Sequence, residues 1–174
     1  MTRFAFRQSS RRAGAIGCAL FFILWGWAGW QPASAAAGPF ADFRGHWSGT
    51  GTIRQEGSKT ERIRCNANYR PLGSSQHEVI LQLGCKSDSY NFDLTGQFQA
   101  DSGNQITGRW TERTRNIGGT VIGHARGSRI QIHVESAGFA ATMYLVTRSR
   151  HQRVTIDSHG GGQVVKASIS LRRR

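Results

Sequence analysis

The sequence predicts an all-β fold, a single antiparallel up-and-down β-barrel of about 8–10 strands with one disulfide. Apolar and polar residues alternate through most of the chain beyond residue 45, the pattern of strands with one buried face. Nine clusters rich in Gly, Ser, Asn or Asp interrupt that alternation, at spacings of roughly 10–15 residues, as in all-β barrels and sandwiches. No stretch beyond residue 36 shows the periodicity of an amphipathic helix.

The start of the chain stands apart. Arg3, Arg7, Arg11 and Arg12 precede an apolar run from Ala13 to Trp30, then Gln31-Pro32 and the small residues Ala33 to Ala37. This three-part layout predicts a cleaved signal peptide over residues 1–35 and a periplasmic or secreted product, not an integral membrane protein after cleavage. The competing reading is an uncleaved anchor, because the run is near the lower limit for a bilayer span. Cleavage removes four arginines and no acid, lowering the formal charge from +13 to +9. For an exported protein that excess points away from nucleic acid and towards anionic envelope partners such as lipopolysaccharide, lipid headgroups or acidic polysaccharide. Its simplest role is to solvate the surface.

Residues 36–44 form an N-terminal arm with Pro39 and Phe40, and residues 45–174 form the barrel domain. The first strand, Gly45 to Arg54, turns Trp47, Gly49, Gly51 and Ile53 to one face, and inward glycines favour the coiling a small barrel needs. The second and third strands, Glu61 to Arg70 and His77 to Cys85, form a hairpin centred on Ser75. That register opposes Tyr69 to Leu81, Ala67 to Leu83 and Cys65 to Cys85, within disulfide range. A Cys65–Cys85 disulfide is predicted, with two buried thiols as the alternative. The fourth strand, Ser89 to Gln99, points Tyr90, Phe92, Leu94, Gly96 and Phe98 inward.

The fifth strand begins at Ile106 and turns Gly108, Trp110 and Glu112 to the same face. A turn centred on Ser102 opposes Gly96 to Gly108, Leu94 to Trp110 and Phe92 to Glu112. Facing glycines beside Trp110 would open the wall for a ligand. An inward Glu112 needs a partner, with Arg113, Arg115 and His124 as candidates. Near the strand end it could instead reach water, and a slip of one residue would turn it outward. The remaining strands fall near Thr120 to Ala125, Arg129 to Glu135, Phe139 to Arg148, Gln152 to Asp157 and Val164 to Arg172.

Catalytic chemistry is not evident in the sequence. The six histidines, His46, His77, His124, His133, His151 and His159, show no metal-motif spacing. His159-Gly160-Gly161-Gly162 reads as a turn, since no Gly-x-Ser-x-Gly elbow accompanies it. Glu112 and Glu135 are not placed across a cleft by anything in the pattern. The expectation is therefore a non-enzymatic protein without cofactor or metal, binding a small apolar or amphipathic envelope ligand. Its candidate binding residues are Trp47, Trp110, Glu112, Gly96 and Gly108. The alternative is a protein-binding module. The oligomeric state is not readable.

Two Gly-x-Trp-[Ser/Thr] units, Gly45 to Ser48 and Gly108 to Thr111, frame these candidates. The first opens the barrel and Arg172 to Arg174 close it. This resembles the calycin arrangement of lipocalins, fatty-acid-binding proteins and avidins, which implies that Trp47 packs beneath a late basic side chain, here Arg172. The Gly-x-Trp start and two cysteines also resemble periplasmic inhibitors of secreted metalloproteases, which implies a partner-binding role for Ala36 to Asp42. Glu61 to Cys65, Ser87 to Tyr90, Trp110 to Arg113 and Ser168 to Arg172 resemble an exported protein family of rhizobia and related alphaproteobacteria, a likeness that implies no particular activity.

Overall fold

A computed structural model describes residues 37–159 and 164–174. The predicted signal peptide and the glycine turn after His159 lie outside the described residues. Ten strands follow one another: β1 Gly45–Gln55, β2 Glu61–Pro71, β3 Glu78–Lys86, β4 Asn91–Ala100, β5 Gln105–Glu112, β6 Ile117–Arg126, β7 Arg129–Ser136, β8 Phe139–Arg148, β9 His151–His159 and β10 Val164–Arg173. Each pairs antiparallel with its sequence neighbours, and β1 pairs with β10 to close the barrel. Closure leaves no unpaired sheet edge among the described residues. The predicted fold class is the observed one.

Alternation places the core as expected. Trp47, Ile53, Ile63, Ala67, Val79, Ile106, Val121, Ile132, Leu145, Val154 and Ile169 are all buried. Cys65 and Cys85 face each other on β2 and β3 and are joined by a disulfide, with Cα atoms 4.1 Å apart.

The β4–β5 register differs from the expectation. Asp101 pairs with Gln105 around the loop Ser102 to Asn104, where Asn104 takes a φ of 61° and the Asp101 carboxylate accepts the backbone N–H groups of Gly103 and Gln105. The turn is thus centred on Gly103, as suits a hairpin ending in one left-handed residue, and pairing shifts by two residues. Gly96 faces Trp110, Gly108 faces Phe98, and Glu112 faces Leu94. An even shift leaves every side chain on its predicted face.

The two ends of the barrel differ. At one end, a 3-10 turn, Ala41–Phe43, folds back so that Phe40 and Phe43 are buried. Trp47 Nε1 donates to the Phe43 carbonyl at 2.7 Å. The Arg173 guanidinium lies 4.7 Å from the Trp47 ring centre and donates to the Asp42 carbonyl. The resemblance implied Arg172 here. Trp47 pairs with Arg173, however, and Arg172 turns outward, where its Nε lies 3.1 Å from His151 Nε2. Behind this closure the buried Tyr69 hydroxyl donates to Gln152 Oε1 and Gln152 Nε2 donates to Thr147, each at 3.1 Å. Burial pushes Tyr69 well above its ordinary value, so it remains a donor.

Residues 40–43 are therefore a stopper in the barrel end. To serve as an inserting arm, they would have to withdraw two aromatic rings from the core.

Candidate functional site

Inside the barrel is an apolar cavity of about 420 Å³, within the range of small-molecule pockets. Its origin is geometric. About eight strands enclose just enough space for side chains to fill, and this barrel has ten. Several inward positions carry little volume, among them Gly123, Ala125, Ala141 and Ala167. Phe40 and Phe43 form the floor. The mouth lies at the opposite end, where Tyr90, Arg115, Ile117 and Phe139 surround it.

Glu112 and Arg115 supply charge at this end of an otherwise apolar lining. Glu112 is fully buried. Its carboxylate accepts backbone N–H groups from Asp93 at 3.1 Å, Thr114 at 2.9 Å and Arg115 at 2.9 Å. It also accepts the Thr114 hydroxyl and a longer contact from Arg115 Nη1 at 3.4 Å. Burial works to raise its pKa, but the Thr114 hydroxyl and the three backbone donors outweigh that and hold it at about 2. These contacts tie Glu112 to the β5–β6 turn. Of the three predicted partners, Arg115 is the one engaged, and the alternative of a carboxylate reaching water does not hold.

Arg115 is the cation of the mouth. It donates to the Asn91 carbonyl at 3.0 Å and lies 4.5 Å from the Tyr90 ring centre, a cation–π geometry. Beside it, Trp110 is buried edge-on to Phe139, their ring centres 6.4 Å apart. Trp110 Nε1 is buried without a hydrogen-bond partner. It sits over Gly119, where an added Cβ would come within 3.1 Å of it. An unpaired buried donor is costly, and this one is packed against the β6 wall.

Of the five residues expected to form the site, Trp110 and Glu112 line the cavity. Trp47 belongs to the closed end. Gly96 and Gly108 lie under the Phe98 ring, whose atoms would stand 2.3 Å and 2.5 Å from Cβ atoms built on them. The anticipated gap is filled by an aromatic side chain, as happens where a ring covers a strand glycine. Sequence reasoning named Arg115 only as a candidate partner for Glu112, and missed Phe139 and the small wall residue Ala141 as parts of the same site. The run Ile130, Ile132, Val134 marks a buried face but says nothing of how far that face stands from its opposite wall.

No family model and no curated protein matches the sequence, so the resemblance to exported rhizobial proteins has no family match behind it. Among solved structures, the chain is similar to Rv2717c from M. tuberculosis, with a TM-score of 0.64 and 11% identity over 78% of this chain and 94% of that one. It is also similar to the S-type phycobiliprotein lyase CPES from Guillardia theta, with a TM-score of 0.55 and 10% identity over 78% of this chain and 89% of that one. Both are calycin-like β-barrels. At such identity the likeness is one of fold. It nevertheless corrects the expectation of a non-enzymatic protein, because a barrel of this shape serves as a lyase, and shape alone gives no ground for excluding catalysis.

Proposed function

We propose that the barrel holds one small apolar or amphipathic molecule in its cavity, with the apolar body inside and any anionic end at Arg115. The observation that supports this most strongly is the apolar interior of about 420 Å³. A void of this size left empty would forfeit packing that native cores normally keep. Arg115 at the mouth adds a directional contact to a largely nondirectional pocket. An exported location accords with the disulfide and with the signal-peptide layout of residues 1–35, and places the ligand among envelope molecules.

The test begins with native mass spectrometry of protein purified from its own host, followed by titration of ligand-stripped protein with laurate and dodecanol. A retained small molecule, or uptake of one equivalent of either probe, supports the reading. Arg115→Gln weakens laurate roughly threefold while leaving dodecanol unchanged, the size expected for a partly exposed ion pair. A bare chain that takes up neither probe overturns the proposal.

A further inference from the structure

The charge of the barrel is distributed unevenly along its axis. At the closed end, ten arginines face three acids, Asp42, Glu78 and Asp101. At the open end, eight lysines and arginines face seven acids. The ion pairs among the described residues follow the same division: Arg113–Asp93, Arg115–Glu112 and Lys166–Asp157 all lie at the open end.

Six exposed arginines at the closed end, Arg126, Arg129, Arg148, Arg150, Arg153 and Arg172, occupy the contiguous sector β6 to β10. None of them pairs with a carboxylate among the described residues. Arg126 is directly opposite Arg129, and Arg129 and Arg153 flank Val146 from either side, about 10 Å apart at the usual strand spacing. Like charges set this close raise the energy of the isolated protein, and an anionic surface relieves that cost.

We infer that this closed-end face docks on an anionic lipid surface. The side chains among the arginines favour lipid over other polyanions. Tyr144 and Ile122 are 45% and 53% exposed on the same outer wall, and Val146 lies between the arginines. Arginine heads beside an exposed tyrosine and aliphatic side chains suit the headgroup boundary, where charges meet phosphates and apolar groups meet the upper acyl chains. A single exposed aromatic is a poor stacking platform for nucleic-acid bases. Docking through this end leaves the cavity mouth at the opposite end clear.

The experiment is vesicle co-sedimentation of the full chain on phosphatidylcholine and on an equimolar mixture with phosphatidylglycerol. Pure phosphatidylcholine measures any anchoring by the apolar run of residues 13–30, and every protein compared carries Arg3→Gln/Arg7→Gln/Arg11→Gln/Arg12→Gln, so the difference between the two vesicles reports the charge of the barrel. The closed-end variant Arg126→Gln/Arg129→Gln/Arg148→Gln/Arg153→Gln loses at least about tenfold of that difference, and rising salt does the same. The open-end variant Arg54→Gln/Arg62→Gln/Arg64→Gln/Lys86→Gln, with the same change in net charge, retains it. Denaturant midpoints matching the parent confirm that both are folded, since all eight positions are exposed. Equal losses in both variants, or no preference for phosphatidylglycerol, overturn the inference. Tighter binding to heparin than to vesicles of matched charge assigns the face to polysaccharide and overturns the lipid partner.

Discussion

The Glu112 carboxylate accepts the backbone N–H of Asp93 at 3.1 Å across the β4–β5 seam, from a fully buried position. With the Thr114 and Arg115 donors, it locks the turn that carries the mouth arginine. Its pKa falls from 4.5 to about 2 on folding. A depressed carboxylate stabilises the fold fully above its unfolded pKa, and that contribution drains away as pH falls through the folded one. Stability therefore declines between about pH 4.5 and 2. Glu112→Gln places an amide N–H among donors and costs about 2–3 kcal/mol at neutral pH, with a shallower acid limb. Urea melts of both proteins across this range measure the two effects.

Phe98 covers two glycines that differ in what surrounds them. A Cβ at Gly96 would meet the far edge of the Phe98 ring at 2.3 Å, which a rotation can relieve. A Cβ at Gly108 would meet the Gln97 carbonyl oxygen at 2.4 Å, which is part of the sheet backbone. Gly108→Ala therefore destabilises more than Gly96→Ala, by about 1 kcal/mol or more. Paired denaturation midpoints decide it, and the reverse order contradicts the observed register.

The Cys65–Cys85 bond spans 20 residues of chain, and a loop of that length contributes about 3 kcal/mol on the chain-entropy model. Cys65→Ala/Cys85→Ala lowers stability by about that amount while the barrel still folds. Intact mass before and after reductant checks the bond itself, since reduction adds two hydrogens.

The Cys65–Cys85 pairing was legible because two cross-strand apolar pairs, Tyr69–Leu81 and Ala67–Leu83, and the cysteines all demanded one register. The β4–β5 pairing was not, because its centre depends on which of Ser102, Gly103 and Asn104 turns left-handed. Glycine is the obvious candidate, yet Asn104 takes that conformation, held by the Asp101 side chain. Strand alternation still placed Trp110 and Glu112 inward, because an error of two residues preserves the face. The role of Phe40 and Phe43 was hidden for a different reason. A short irregular segment has no periodicity, so its burial depends wholly on the barrel end it meets. Cavity volume was illegible too, since it follows from strand number and the distance between opposite walls rather than from any local pattern.

The cavity is tested most directly by filling it. Ala141 lines it from β8, and Ala141→Phe adds a ring there. In a packed core such a change costs typically about 1–3 kcal/mol. In this barrel, denaturant stability stays at or above the parent value while laurate binding falls at least about tenfold, one decade being 1.4 kcal/mol of lost contact. A variant that is clearly destabilised, or that binds laurate as tightly as the parent, contradicts an interior binding site.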